Sequence, residues 1–266
     1  MAVNDSDLPR WREPLPSKLF HYTDAAGLMG IVKDRSIRGT HHRFLNDHGE
    51  IRFGVSIVTD VVKAMSRDLG EQVASQICNW VEHMSTGSFF VSCFSEDNQI
   101  LSQWREYARK GAGYCLAMST NSVLNVDLRS SVVTDAVNCI YGRGDLERAA
   151  KEWFAYDMAV YKEDVVERLQ DSAFRLALAA KNHHFREERE WRLLTVTTDP
   201  SKVEHRPGAD RIVPYVSLRG IDISEVWIGP RVGPDPASAQ ATVAHVLATN
   251  GFGKANTFHW DCPMAS

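Results

Sequence analysis

Residues 88–119 constrain the fold more than any other stretch, because a strand pattern, a helix pattern and a second strand pattern follow one another there without a linker. The apolar and aromatic run at residues 89–94 predicts a short buried strand. From Ile100 onward the apolar residues recur at helical spacing, and Gly111 and Gly113 end that pattern. The apolar run that follows Gly113 predicts a second strand. We therefore expect a compact strand–helix–strand unit around which the chain is organised.

Polar side chains cluster where the first of these strands meets the helix. They are Ser92, Ser95, Glu96, Asp97 and Asn98. The start of a helix presents unpaired backbone N–H groups, so such a junction commonly binds anions or polar ligands. The sequence therefore predicts a ligand site at this junction, to which other parts of the chain contribute.

The remaining patterns mix helices and strands along the whole chain. A short strand is predicted at residues 18–22, Asp24 is a candidate helix N-cap, and a second strand follows at residues 37–40. Long helical patterns occupy much of residues 51–84 and 146–182, and strands dominate the C-terminal part. We expect an α+β fold with a mixed, mainly antiparallel central sheet and several packed helices.

Length, charge and hydropathy limit the class of protein. The chain has 266 residues, 44% of them hydrophobic, and no linker-like stretch divides it, so we expect a single domain at residues 18–266 after a proline-containing arm at residues 1–17. The net charge of −4 argues against a globally basic surface, which leaves only a local basic patch for nucleic acid. No apolar run approaches the roughly 20 residues that span a bilayer, and no secretory leader is evident. These features predict a cytoplasmic protein without a membrane partner.

The cysteines indicate a reducing environment. The chain contains Cys78, Cys93, Cys115, Cys139 and Cys262. Their number is odd, none has CxxC spacing, and three lie in apolar strand-like runs. We interpret them as reduced core thiols rather than as metal ligands or disulfide partners.

Residues 41–50 are dense in side chains that can bind metals, including three histidines, Asp47 and Glu50. Their spacing matches no zinc motif. Asn46 and Asp47 followed by Glu50 also fit a capping box that opens the next helix. We favour capping, and the metal or catalytic interpretation stays open.

A second informative stretch changes from charged to β-branched residues and predicts a strand at residues 188–196. Strand alternation would put Glu188, Glu190 and Arg192 on one face. Two carboxylates about 7 Å apart along a strand repel each other, which raises one pKa, while the arginine opposes this rise. The set suits acid–base or cation-stabilising chemistry. An exposed charged strand edge explains it equally well.

Common catalytic motifs are missing from the sequence. It contains no GxSxG elbow, P-loop, HExxH helix or paired CxxC. Catalysis would therefore have to use the polar residues of the predicted strands, namely His21, Tyr22, Ser92, Ser95, Glu188 and Glu190.

Several short motifs taken together resemble a bacterial family known as domain of unknown function 2971. They are Phe20-His-Tyr-Thr23, Leu45-Asn-Asp47 with Glu50, Ser92-Cys-Phe-Ser95, Trp104 with Tyr107-Ala108, Gly113 with Cys115, Glu188-x-Glu-Trp-Arg192 and Ile228-Gly-Pro230. They occur in order between about residues 18 and 260. The family label implies no activity.

The order of these motifs is more distantly similar to the ADP-ribosyltransferase superfamily. This resemblance implies an ADP-ribosyltransferase-like core with helical insertions, NAD as the substrate, no metal, and transfer of ADP-ribose to a protein or nucleic acid, as in a toxin or a phage-defence effector with an inhibitory partner. It implies catalytic roles for Glu190, Glu188 and His21. It implies NAD-binding roles for His21, Tyr22, Thr23, Ser92, Ser95, Trp104, Tyr107 and Arg192, although aromatic residues at helical spacing, such as Trp104 and Tyr107, are more often core.

Two other classes of function remain. In one, Asp47, Glu50, Glu188 and Glu190 hold a metal ion that cleaves a nucleotide or nucleic acid. In the other, the same polar residues form a ligand-binding module without enzymatic activity.

Overall fold

The structure is a computed structural model that describes residues 15–45, 49–124, 132–208, 210–233 and 235–261. Its strands are β1 Lys18–Thr23, β2 Ser36–His41, β3 Phe90–Ser95, β4 Tyr114–Ser119, β5 Val132–Asn138, β6 Ile140–Tyr141, β7 Ala180–Lys181, β8 Glu190–Thr197, β9 Val203–Pro207, β10 Ile212–Arg219, β11 Ile223–Ile228 and β12 Asn256–His259. Its α-helices are α1 Ala25–Asp34, α2 Gly49–Ala64, α3 Ser66–Leu69, α4 Glu71–Thr86, α5 Leu101–Glu106, α6 Thr120–Leu124, α7 Arg143–Val160, α8 Val165–Ala179 and α9 Pro236–Thr249. Most of the predicted arm at residues 1–17 lies outside the described residues.

The described residues form two compact units. The helical unit takes its residues from His41–Phe89 and Val137–Arg186, and the sheet unit takes them from Pro14–Thr40, Phe90–Ala136 and Glu187–Ser266. The predicted single domain at 18–266 stays a prediction. All residues that the resemblance assigns to catalysis or NAD binding belong to the sheet unit.

The helical unit packs α2, α4, α7 and α8 against one another. Gly54 allows α2 to approach α8 closely, because a Cβ atom there would lie 2.0 Å from the carbonyl oxygen of Ala177. Short parallel strands β6 and β7 complete this unit. No helix among the described residues has the length and apolar character that crossing a membrane requires.

The sheet unit is built on a branched sheet, in which the strand order is β12-β11-β4-β1-β3-β2-β10-β9 and β8 and β5 extend from β3. Strand β3 pairs with β8 along its whole length, and its other edge is shared by β1 and β2. The β11–β12 pair is parallel. The following pairs are antiparallel: β1–β3, β1–β4, β3–β8, β2–β10, β9–β10 and β4–β11. The predicted α+β class with a mixed, mainly antiparallel sheet and packed helices is therefore confirmed.

The two faces of this sheet carry separate hydrophobic clusters. Leu116 belongs to the larger cluster, which includes α1 and α9, and the adjacent Cys115 belongs to a smaller cluster with Trp104 of α5. Because neighbouring strand residues point to opposite faces, the clusters lie on opposite sides of the sheet. We call these sides the α1 face and the α5 face.

The predicted strand–helix–strand unit is present as β3, α5 and β4. Asp24 caps α1 as predicted, because its side chain accepts a hydrogen bond from the backbone N–H of Gly27 at 2.8 Å. The strand predicted at 188–196 begins later, at Glu190, since a 3₁₀ segment ends at Glu188 and Arg189 has a left-handed φ of 44°.

Candidate functional site

The strand register decides which predicted site residues lie together. Ser95 is the cross-strand partner of both Phe20 and Glu190, and Cys93 is the partner of Arg192. Directly opposed residues of an antiparallel pair point to the same face and lie close together. Ser95, Glu190 and Arg192 therefore share the α5 face.

Glu190 and Arg192 form a charge pair within β8. The Nε of Arg192 donates a hydrogen bond of 2.8 Å to Oε1 of Glu190, and the side chains are only 6% and 7% exposed, respectively. A charge-assisted bond in a site shielded from water is stronger and better oriented than one in solution. The carboxylate is thus held in one orientation.

Ser95 fixes the point at which β8 begins. Its hydroxyl donates a 2.7 Å hydrogen bond to the backbone carbonyl of Glu188, and the backbone N–H of Glu96 bonds to the carbonyl of Arg189 at 3.2 Å. These bonds hold the left-handed turn at Arg189. The turn breaks the strand alternation, so the prediction that Glu188 and Glu190 share a strand face is wrong. Glu188 is buried in the preceding 3₁₀ segment.

Cys93 marks an opening on the α5 face. It is exposed although it lies within β3, a strand that pairs with others on both edges, whereas Ser92 and Phe94 on the opposite face are buried. The prediction of a core thiol is therefore wrong for Cys93. Cys115 and Cys139 are buried and Cys78 is half-buried. The sequence offers no signal for this exposure, because a cysteine between apolar residues normally indicates core.

His21 lies one residue beyond the bridge between Phe20 and Ser95, so alternation directs it to the α1 face. Its ring meets the ring of Phe94 edge-on at 5.8 Å, and its Nδ1 is 3.0 Å from the carbonyl oxygen of Cys93. Burial lowers the pKa of His21, and the bond to this carbonyl partly opposes the shift. The register thus separates the imidazole of His21 from Glu190.

Ser92 also lies on the α1 face, opposite Leu193 of the larger cluster. It is 3% exposed, and its hydroxyl has no hydrogen-bond partner in the part of the chain that the structure describes. The structure therefore does not bring Ser92 together with Ser95, despite their closeness in sequence.

Tyr22 and Trp104 support the loop between β3 and α5. The hydroxyl of Tyr22 donates to the carbonyl of Asp97 at 2.7 Å and accepts from the N–H of Ile100 at 3.2 Å. The indole N–H of Trp104 donates to the carbonyl of Asn98 at 2.8 Å. Burial is the main reason that the pKa of Tyr22 is raised far above its usual range. Both side chains thus have their polar groups satisfied by the protein.

Trp104 is fully buried, and its ring stacks on Trp260 with centroids 4.5 Å apart. It therefore presents no ring face to a ligand, as the core interpretation of this residue predicts. Tyr107 lies just after α5 and is 44% exposed. Thr23 is half-buried at the end of β1, where Gly27 and Gly113 approach it closely.

No group of three or more metal-binding side chains converges within the described residues. Asn46 and Asp47 of the predicted capping box lie outside those residues. Glu50 is buried in the helical unit with its Oε1 3.7 Å from Nζ of Lys181. His42 is stacked on Phe89 with ring centroids 4.0 Å apart, which explains one of the three histidines by packing.

Comparison with known proteins identifies a family model that matches part of the chain. Residues 103–193 match a family model described as protein of unknown function (DUF2971). No curated protein and no solved structure is significantly similar to the chain. The matched segment contains Trp104, Tyr107, Glu188, Glu190 and Arg192, whereas the strand that carries His21 lies outside it. The comparison thus supports the resemblance to this family over the segment from α5 to the first part of β8.

Proposed function

We propose that the chain binds NAD at the opening on the α5 face and transfers ADP-ribose to a macromolecular acceptor. The observation that carries the proposal is Glu190, a carboxylate held in a fixed orientation beside the accessible position Cys93 on the same face. Preorganised charge in a site that excludes water is the most effective way to stabilise a developing cation. Glu190 would meet this requirement for the ribose of NAD.

In the proposed reaction the bond between C1′ of the ribose and the nicotinamide nitrogen breaks, and nicotinamide leaves with the electron pair. The carboxylate of Glu190 stabilises the oxocarbenium-like centre. A nucleophile of the acceptor then bonds to C1′ and releases its proton to solvent. Arg192 positions Glu190, and Ser95 positions the start of β8 through the carbonyl of Glu188.

The proposal assigns no chemical step to His21, Ser92, Tyr22 or Trp104. His21 and Ser92 are directed to the α1 face, and Tyr22 and Trp104 are bonded to the loop before α5. This differs from the roles that the ADP-ribosyltransferase resemblance implies. Glu190 and Arg192 are the parts of that resemblance that the geometry supports.

The test is release of nicotinamide from NAD, followed by chromatography, together with transfer of labelled ADP-ribose to protein and nucleic-acid acceptors. Glu190→Gln should bind NAD in calorimetry and lose turnover, because it keeps the shape and loses the charge. Glu225→Gln is the matched control: this glutamate is on the same face in β11 and is paired with Lys18. Turnover by Glu190→Gln at the wild-type rate, or calorimetry without NAD binding by the intact chain, would refute the proposal.

One observation favours a second candidate, a ligand-binding module without turnover. The guanidinium of Arg192 already balances the charge of Glu190, and a balanced pair suits recognition of a polar ligand as well as catalysis. Saturable binding of NAD with no nicotinamide release would identify this function.

A further inference from the structure

Two loops at one end of the sheet unit are locked together by glycines. The N–H of Gly229 donates to the carbonyl of Gly113 at 2.9 Å, and the N–H of Arg231 donates to the carbonyl of Gly111 at 3.0 Å. A Cβ atom at Gly229 would lie 2.3 Å from the carbonyl oxygen of Gly111. Residues 109–113 and 229–231 therefore form one fixed surface.

The first loop holds a left-handed turn that displays cations. Arg109, Lys110 and Gly111 have φ angles of 48°, 54° and 82°. A left-handed conformation costs about 1 kcal/mol or more for each residue with a side chain, and it persists only where the surroundings enforce it. The glycine contacts with the second loop supply that enforcement.

Four exposed cations lie on or beside this surface: Arg105, Arg109, Lys110 and Arg231. The nearest ion pair is weak, since Asp24 is 4.0 Å from Nε of Arg109 and the Arg109 side chain is 73% exposed. Glu106 and Asp261 are exposed carboxylates close in sequence to the cations and the aromatic pair. The half-buried Glu225 accepts a hydrogen bond of 3.1 Å from the indole N–H of Trp227 and is paired with Lys18. The rigid turn itself therefore carries the adjacent cations Arg109 and Lys110, whereas these carboxylates belong to the segments around it.

An aromatic pair continues the surface along the α5 face. Trp227, two residues before Gly229, is the cross-strand partner of Phe258, and their rings stack with centroids 4.6 Å apart. Phe258 is 37% exposed, and Tyr107, next to the cationic turn in sequence, is 44% exposed. Rigid cations and accessible rings thus occur at the same end of β4 and β11.

We propose that this surface binds single-stranded nucleic acid, and that such a strand is the acceptor of the ADP-ribosyl group; the second part rests on the proposed function. Cations that follow a phosphodiester backbone and aromatic rings on which bases stack are the two requirements for binding single strands. An acidic protein segment would use the cations but not the rings. A duplex hides its base faces, so the rings favour a single strand.

The binding test uses the full chain and a fluorescein-labelled twelve-nucleotide strand, as DNA and as RNA, in an anisotropy titration at several salt concentrations. Lys110→Glu should weaken binding at least about fivefold and reduce the slope of log K against log salt by about 0.7 or more, because at least one phosphate contact is lost. Phe258→Ala should weaken binding at least about fivefold with the slope unchanged, because a base loses its stacking partner.

Lys202→Glu is the matched control. It makes the same charge change at an exposed lysine directly before β9, which is at the other end of the strand order. It should bind like the wild type, and circular dichroism should show that all variants are folded. The proposed surface would be overturned if Lys202→Glu weakened strand binding as much as Lys110→Glu, or if Phe258→Ala bound the strand like the wild type. It would also be overturned if polyglutamate displaced the labelled strand as well as an unlabelled strand does.

The outcome is separable from that of the proposed function. Glu190→Gln should bind the strand as tightly as the wild type, whether or not the chain turns over NAD. Strand binding together with nicotinamide release from NAD, but without label on the strand, would overturn the acceptor assignment alone.

Discussion

Ser92 and Ser95 lie on the same strand and are 3% and 2% exposed, but their hydroxyls differ in hydrogen bonding. The hydroxyl of Ser95 donates to the carbonyl of Glu188 at 2.7 Å, whereas that of Ser92 has no hydrogen-bond partner among the described residues. Replacing each with alanine removes the same atom from almost the same depth. The pair therefore isolates the contribution of the hydrogen bonds of Ser95, whose hydroxyl also accepts a longer bond of 3.4 Å from the backbone N–H of Asp97.

The expected effects have opposite directions. Ser95→Ala leaves the carbonyl of Glu188 without this donor, and an unsatisfied buried group costs about 1–3 kcal/mol. Ser92→Ala removes a hydroxyl that was desolvated without a protein partner, so it should leave the free energy of unfolding unchanged or raise it by up to about 1 kcal/mol. The two variants should differ by at least about 1 kcal/mol.

Urea unfolding followed by tryptophan fluorescence and by circular dichroism measures this difference from the midpoints, provided that the slope m is unchanged. Thermal unfolding should show the same order, with about 2–4 °C for each kcal/mol in a chain of this size. Nicotinamide release should fall more in Ser95→Ala, since Ser95 sets the start of β8 and hence the position of Glu190. Equal destabilisation by both variants, or a larger loss in Ser92→Ala, would refute the reasoning.

Three further predictions follow from packing, burial and exposure. Gly229→Ala should lower the free energy of unfolding by about 1–3 kcal/mol, because its Cβ would overlap a carbonyl oxygen. Gly144→Ala, in α7 with open space around it, should instead raise this free energy by about 0.5–1 kcal/mol. Urea midpoints compare the two variants, and an undiminished stability of Gly229→Ala would contradict the locking of the two loops. Burial lowers the pKa of His42 to about 4, so between this pH and about 6.5 the histidine is protonated in the unfolded chain but not in the folded chain. The free energy of unfolding should therefore fall, on the order of 2 kcal/mol, as the pH drops from about 6.5 to about 4. The unfolding free energy of His42→Gln should depend less steeply on pH across this range. A maleimide should modify the exposed Cys93 but not the buried Cys115 in the native chain, and peptide mass spectrometry identifies the modified residue. Saturating NAD should slow the modification of Cys93 if NAD binds on the α5 face.

Local patterns in the sequence predict the helices and strands, but they do not predict that the sheet branches at β3. Helix α5 begins where its periodicity predicts, but it ends at Glu106, well before Gly111, which the sequence offers as its end. Strands β3 and β4 were predictable within about two residues because their apolar runs are local signals. The cap at Asp24 was predictable for the same reason. The opening at Cys93 was not, because it lies on a strand whose edge is shared by two partners that are distant in sequence.

The candidate site shows the same division. Glu190 and Arg192 were predictable as a pair, because residues two positions apart on a strand point to the same face. A strand extended through Arg189 would place Glu188 on that face too, but the residue type of Arg189 gives no signal of its left-handed φ of 44°. The order of motifs groups His21 with Glu190, and only the pairing of Phe20 with Ser95 shows that their side chains point to opposite faces of the sheet.

The pairing of β2 and β3 with strands that lie far along the chain also has a consequence for biosynthesis. Thr40 of β2 pairs with Tyr215 of β10, and β3 itself pairs with β8, so the N-terminal strands leave the ribosome long before their partners exist. At about 5–20 residues per second, Thr40 waits roughly 10 seconds or longer for Tyr215 to be translated. Nascent chains of this protein thus carry unpaired strand edges for that interval, and their yield should depend on chaperones that shield such edges.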